Sequence, residues 1–145
     1  MRKLSDLISD IQYELKQVPV QNAAALTVLG FEVQLKVQSM IGTHQLFWKD
    51  LARSTVETKQ RKKWGKGGDA SSPLYAKGDF ERSIEYRLVG RNRVQIFSEA
   101  ESAQYTERGT SKMPPRPVFK PAAKIVLRSW VNKGTLANFY LKSLR

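Results

Sequence analysis

The stretch TERGTSKMPPRPVFKPA, residues 106–122, constrains this chain more than any other. Four of the six prolines fall within the eight positions 114–121. Each proline fixes φ near about −65° and removes an N–H, which excludes the segment from a helix interior or a central strand. The expected form is a stiff, largely extended strut with side chains facing alternate ways. A chain this short needs no strut merely to connect two elements. A strut is useful where a surface must be held in fixed shape for a partner.

The 145 residues fit a single domain, 1–145, with a modest core. Hydrophobic residues make up 41% and charged residues 26%, so a folded chain is expected rather than a disordered one. The absence of cysteine excludes disulfides and thiolate metal sites. No secretory pattern opens the sequence, since Arg2 and Lys3 are followed by Leu4-Ser5-Asp6 rather than an apolar run. The uncharged span from Gln17 to Phe31 contains Pro19, Gln21 and Asn22 and is too short and polar to cross a bilayer. A soluble protein without membrane contact is expected.

Net charge is +12, and its distribution is informative. All 13 acidic residues lie at or before Glu107, whereas the last 38 residues carry nine Lys or Arg and no carboxylate. A second basic cluster comprises Lys59, Arg61, Lys62, Lys63 and Lys66. Such a field attracts polyanions or acidic protein surfaces, and composition does not choose between them.

Leu4, Leu7, Ile8, Ile11 and Leu15 recur at helical spacing, with Asp6, Asp10 and Glu14 on another face; the helix is predicted to end before Pro19. Residues 21–41 fit two patterns. Phe31 to Gln38 alternates as a strand does, but Leu26, Leu29, Val33, Val37, Met40 and Ile41 form the longer, helical stripe. Helix is favoured, with Phe31 and Leu35 packing on a second surface. Gly42 breaks the pattern, and Thr43 with Leu46, Phe47, Leu51 and Val56 predicts another short helix. A long exposed loop is expected at about 60–78, ordering on assembly. Ser83 to Val89 and Asn92 to Ser98 predict a β-hairpin. Only a three-residue loop, Gly90 to Asn92, puts Leu88 opposite Val94 and Tyr86 opposite Ile96 with faces matched, Asn92 taking the left-handed position. After the strut, Pro121 suits a first helical position. Ala123, Val126, Leu127 and Trp130 then form a core face, Lys120, Lys124 and Arg128 a basic one, and Ile125 lies outside both. The tail carrying Leu136, Phe139, Tyr140 and Leu144 fits strand or helix.

Chemistry-bearing patterns are few. His44 is the single histidine, so no His-based metal site or Ser/His relay is expected within one chain. Glu99 and Glu101 have no motif around them, and GKGGD (65–69) lacks the Lys-Ser/Thr ending of a phosphate loop. The reading is a protein without catalytic residues, metal or cofactor. Trp64 among Lys62, Lys63 and Lys66 is the best interleaving of an aromatic with positive charge, suited to non-specific phosphate or loop contacts but not to sequence readout.

Three ordered blocks, IGTHQLFWKDLARST (41–55), SPLYAKGDFERSI (72–84) and YTERGTSKMPPRPVFKPA (105–122), resemble a tailed-phage family of tail-completion, head–tail joining or virion morphogenesis proteins. The first family block reads Trp-x-x-Leu-Ala-x-Ser-Thr, matched by Trp48, Leu51, Ala52, Ser54 and Thr55. Pro73, Leu74, Gly78, Ser83 and Ile84 match the second. Glu107, Gly109, Thr110, Met113, Pro114, Arg116 and Pro117 match the third, which is the most specific. Phe80 and Val118-Phe119 depart from the usual residues, and the glycine-rich loop 61–71 is particular to this chain.

The resemblance implies an α+β fold, a small antiparallel β-sheet with flanking α-helices, in a subunit of a ring. The ring, of six copies by the family's pattern, would sit in the virion neck between portal-side head-closure proteins and the tail tube. DNA would pass through its channel without sequence recognition. Assembly would take place in the bacterial host cytoplasm. The strut (Glu107, Gly109, Thr110, Met113, Pro114, Pro115, Arg116, Pro117, Phe119) becomes a preformed edge for the next subunit or the tail. Asp6, Asp10 and Glu14 would face Lys120, Lys124 and Arg128 of an adjacent copy. Two other readings remain open on sequence: a tail-tube terminator ring and a basic, non-specific nucleic-acid-binding module.

Overall fold

A computed structural model describes residues 4–135, with the side chains at 4–8, 10, 11, 14, 15 and 17 outside the description. In chain order the elements are α1 (Leu4–Met40), α2 (Arg53–Arg61), α3 (Asp79–Arg82), β1 (Ile84–Leu88), β2 (Val94–Ser98), α4 (Ser102–Arg108) and α5 (Phe119–Asn132). The described residues thus form an α+β fold of five helices and one two-stranded antiparallel sheet. None of these helices is long and apolar enough to cross a membrane.

The long helix α1 is the spine. Its inner stripe follows the predicted spacing at Leu29, Val33, Val37 and Met40, but Ala25 rather than the expected Leu26 is the buried residue one turn earlier. The expected stop before Pro19 is corrected: α1 runs through it for 37 residues. Proline there removes one bond to the Leu15 carbonyl and costs about 3 kcal/mol in a helix interior. One lost bond does not outweigh the continuous helical turns on either side, which include the Ala23–Ala25 run. Phe31 and Leu35, expected on a second surface, are about half exposed, and Phe31 meets Tyr86 edge-on at 6.4 Å between centroids.

The hairpin lies across α1. Its register is Tyr86↔Ile96 and Leu88↔Val94, closed by a bond from Val89 N to Arg93 O, which leaves the three-residue loop 90–92. Gly90, not Asn92, takes the left-handed position, at φ 68. Asn92 is used otherwise: its Oδ1 accepts from Asn22 Nδ2 at 3.2 Å, tying the hairpin tip to α1. Gln34 Nε2 donates to Ile84 O at 2.7 Å and Gln38 Nε2 to Glu81 O at 3.2 Å. Gly30 is what lets the strands approach, because a Cβ there would stand 2.6 Å from the Tyr86 ring and 2.7 Å from Val94 Cγ2.

The short helix expected through Leu46, Phe47, Leu51 and Val56 to the basic cluster is found only in its later part, as α2, which carries Val56, Lys59 and Arg61. Residues 43–52 are irregular, Leu46 and Phe47 are exposed, and helix begins only at Arg53. The reason lies far along the chain: the Arg116 guanidinium takes the Lys49 and Asp50 carbonyls, at 2.9 and 3.3 Å, which a helix would need for its own ladder. Thr43 Oγ1 bonds back to Ser39 and Met40 carbonyls, closing α1 instead of opening a helix. The segment 64–78 is irregular as expected, but it is not exposed throughout. Ala70, Ser72 and Pro73 are buried, and Gly42 N donates to Pro73 O at 2.8 Å.

α5 begins at Phe119, two residues before Pro121, whose missing N–H falls in a first turn that has no intrahelical use for it. Its core face is Ala122, Val126 and Trp130, with Ala123 at the edge. Leu127, expected inside, is 45% exposed because the i, i+4, i+8 line runs through Ala122 rather than Ala123. Trp130 Nε1 donates to Glu32 Oε2 at 2.5 Å, clamping α5 to α1. Leu136, Phe139, Tyr140 and Leu144 lie outside the described residues.

Candidate functional site

The three sequence blocks singled out above, separated along the chain, meet around one cleft of about 470 Å³. The first block supplies Leu51, Ser54 and Thr55, the second Leu74, Tyr75 and Ala76, and the third Met113 and Arg116. α2 adds Thr58 and Lys59, and Trp64 completes the wall.

The strut is braced from within the chain, and its first three residues belong to α4 rather than to an extended run. Gly109 turns the chain at φ 73, where a Cβ would stand 2.8 Å from Met113 O and from Pro115 N. Thr110 N donates to Met113 O at 2.8 Å, and Met113 N to Thr110 Oγ1 at 3.1 Å. Arg116 N donates to Thr106 O at 2.7 Å. Glu107 reaches forward from α4: its Oε1 accepts from Val118 N at 2.6 Å and Phe119 N at 3.0 Å. That carboxylate caps the α5 N-terminus, where free N–H groups and the helix dipole favour negative charge.

Of the residues predicted for a partner surface, Glu107, Gly109, Thr110 and Arg116 are therefore engaged inside the chain. Met113, Pro114, Pro117 and Phe119 are half-buried and Pro115 is exposed, which leaves a proline edge at the surface. Lys120, Lys124 and Arg128 are exposed on the outer side of α5. Lys124, Arg128 and Lys133 line an open groove of about 580 Å³ with Ile125 and Phe47. The side chains of Asp6, Asp10 and Glu14 lie outside those described.

The predicted phosphate-contact cluster is not gathered on one open patch. Lys66 Nζ donates to Glu81 Oε1 at 2.9 Å and to Ile41 O at 3.2 Å. Lys62 Nζ stands 4.4 Å over the Trp64 ring and Lys77 Nζ 5.7 Å from it, so the indole is partnered by lysines of its own chain. Lys63 sits at φ 53, exposed.

Sequence reasoning counted Lys59 only as surface charge, yet it is 7% exposed. Its Nζ donates to Ser72 O. Burial pushes its pKa below the usual lysine value, with Asp69 pulling weakly the other way. Arg116, 3% exposed, is also lowered by burial, opposed by Asp50. Its Nε is buried without a partner among the described residues, as is Trp48 Nε1. Each such orphan costs about 1–3 kcal/mol. A faint signal for Lys59 was present: it lies three residues after the half-buried Val56, on the inward side of α2.

No family model, curated protein or solved structure matches the chain.

Proposed function

We propose that this chain is a structural protein of a tailed-bacteriophage virion, a tail-completion or head–tail joining subunit that forms a ring in the neck. The observation that carries the reading is the convergence just described. The three blocks by which the chain resembles that family build one braced ledge and cleft, with internal bonds fixing its shape. A surface ordered before contact loses little entropy on binding, which suits an assembly edge.

The charge layout supports the same role. α5 contains three cations on its outer side and no carboxylate, an arrangement suited to an acidic protein neighbour. The nucleic-acid reading is weakened by Lys66 and Trp64 being partnered within the chain. In the assembled neck the ring would pass DNA through its channel without reading it, and its neighbours would be head-closure and tail-tube proteins.

Negative-stain images of the purified protein test the proposal. Rings with a central opening are the expected result, together with weak binding to free duplex DNA. A protein that stays monomeric and binds duplex tightly, with a steep salt dependence, would transfer the assignment to a nucleic-acid-binding module.

A further inference from the structure

We infer that the cleft between α2, the 64–78 segment and the proline strut is a binding site for a carboxylate carried on a short apolar stem. This inference stands independently of any place in a virion.

The charge lining this cleft is one-sided. Lys59 and Arg116 line the same cleft, both more than nine-tenths buried, and among the described residues no Asp or Glu lines it with them, Asp69 and Asp50 acting on them from outside the cleft. Their hydrogen bonds go to neutral backbone oxygens: Ser72 O for Lys59, and Lys49 O and Asp50 O for Arg116. An ammonium has three donors, so two Nζ protons of Lys59 have no acceptor among the described residues. Two desolvated cations held on carbonyls are a site awaiting an anion, since buried charges are ordinarily paired.

The walls specify what carries the anion. Leu51, Leu74, Met113, Trp64 and Tyr75 supply apolar surface, and Ser54 and Thr55 also line the cleft. A volume of about 470 Å³ falls in the range of small-ligand sites. A free phosphate would leave these apolar walls uncovered. A carboxylate on an aliphatic or aryl stem covers them while placing its oxygens at the Lys59 ammonium, with Arg116 as the second positive charge. Two sources fit that chemistry: a small organic acid and a glutamate side chain of another polypeptide.

The test is titration of the intact protein, followed by NMR at the Trp64 indole N–H, in buffer free of sulfate, phosphate and carboxylates. The probes are 3-phenylpropionate and its uncharged amide, and the blocked peptides Ac-Leu-Glu-Leu-NH2 and Ac-Leu-Gln-Leu-NH2. Saturable shifts with either acid but not with its neutral counterpart support the inference, and whichever acid binds tighter identifies the source. Lys59→Met, which keeps the stem and removes a desolvated charge, is expected to fold and to bind the acid at least about tenfold more weakly. Equal shifts from acid and amide, no shift from either acid, or unchanged affinity in Lys59→Met would overturn it.

Discussion

Lys59 keeps a cationic head group inside the protein on one backbone oxygen, and the consequence is a stability that depends on alkaline pH. Its pKa is lowered in the folded state by burial, while the unfolded chain holds it near 10.5. Between the lowered value and 10.5 the unfolded chain binds more protons, so stability from this group rises with pH through that window and is flat below it. Other lysines and tyrosines titrate there too, so the comparison with Lys59→Met isolates the effect. Urea midpoints from pH 7.5 to 10.5 should show the parent protein gaining on the variant as pH climbs; parallel curves would mean a well-hydrated ammonium. Gly30 gives a second residue-scale expectation. Gly30→Ala gains helix propensity of about 1 kcal/mol but drives a methyl into Tyr86 and Val94, and overpacking costs about 1–3 kcal/mol. A net loss of about 1 kcal/mol in urea unfolding is expected, within a range of about 0–2, and a net gain would mean that the hairpin can lift from α1.

Among the elements, α5 depends on a carboxylate that does not belong to it. Glu107 stands at the end of α4 and holds the two N–H groups that open α5, so one side chain sets the angle between these helices and fixes the strut between them. Hydrogen bonds to a charged acceptor contribute about 1.5–3 kcal/mol. Glu107→Ala is therefore expected to destabilise by about 2 kcal/mol in chemical denaturation, and Glu107→Gln, which keeps an acceptor oxygen without charge, by less. Equal losses would deny the charge any role. How far such features can be read in advance depends on their range along the chain. The hairpin register was legible because period-two faces admit one loop length, and the inner stripe of α1 because its 3.6 period extends over five turns. The missing helix at 43–52 was not legible, since the carbonyls it needed are taken by Arg116 some 66 residues later. Arg116 was illegible for the same reason, and Lys59 nearly so, marked only by its spacing from Val56; the meeting of three distant blocks encloses them both. Pro19 misled in the opposite direction, a strong local breaker inside a helix long enough to absorb it.

At the scale of the whole molecule, a chain of net charge +12 repels its own copies unless its few acids are placed against its cations. Asp6, Asp10 and Glu14 occupy the first turns of α1 at four-residue steps, and Lys120, Lys124 and Arg128 occupy α5 at the same steps. Two combs of equal pitch, each spanning about 12 Å of helix, fit one another. Trp130 is bonded to Glu32, so the basic comb lies beside the later half of α1, and the 18 residues from Glu14 to Glu32 amount to about 27 Å of helix. The pairing we propose is therefore between copies, head to tail, as a closed ring requires. Asp6→Lys with Asp10→Lys and Glu14→Lys should abolish the ring in light scattering and negative stain. Adding Lys120→Glu, Lys124→Glu and Arg128→Glu should restore it, because the second reversal returns opposite signs to facing positions. Raising salt should weaken the parent ring, as the Debye length shrinks from about 8 Å at physiological ionic strength to about 3 Å at 1 M. A sixfold-reversed protein that remains monomeric would refute the pairing, and an intact ring after the first reversal would place the subunit contact elsewhere, at the proline edge.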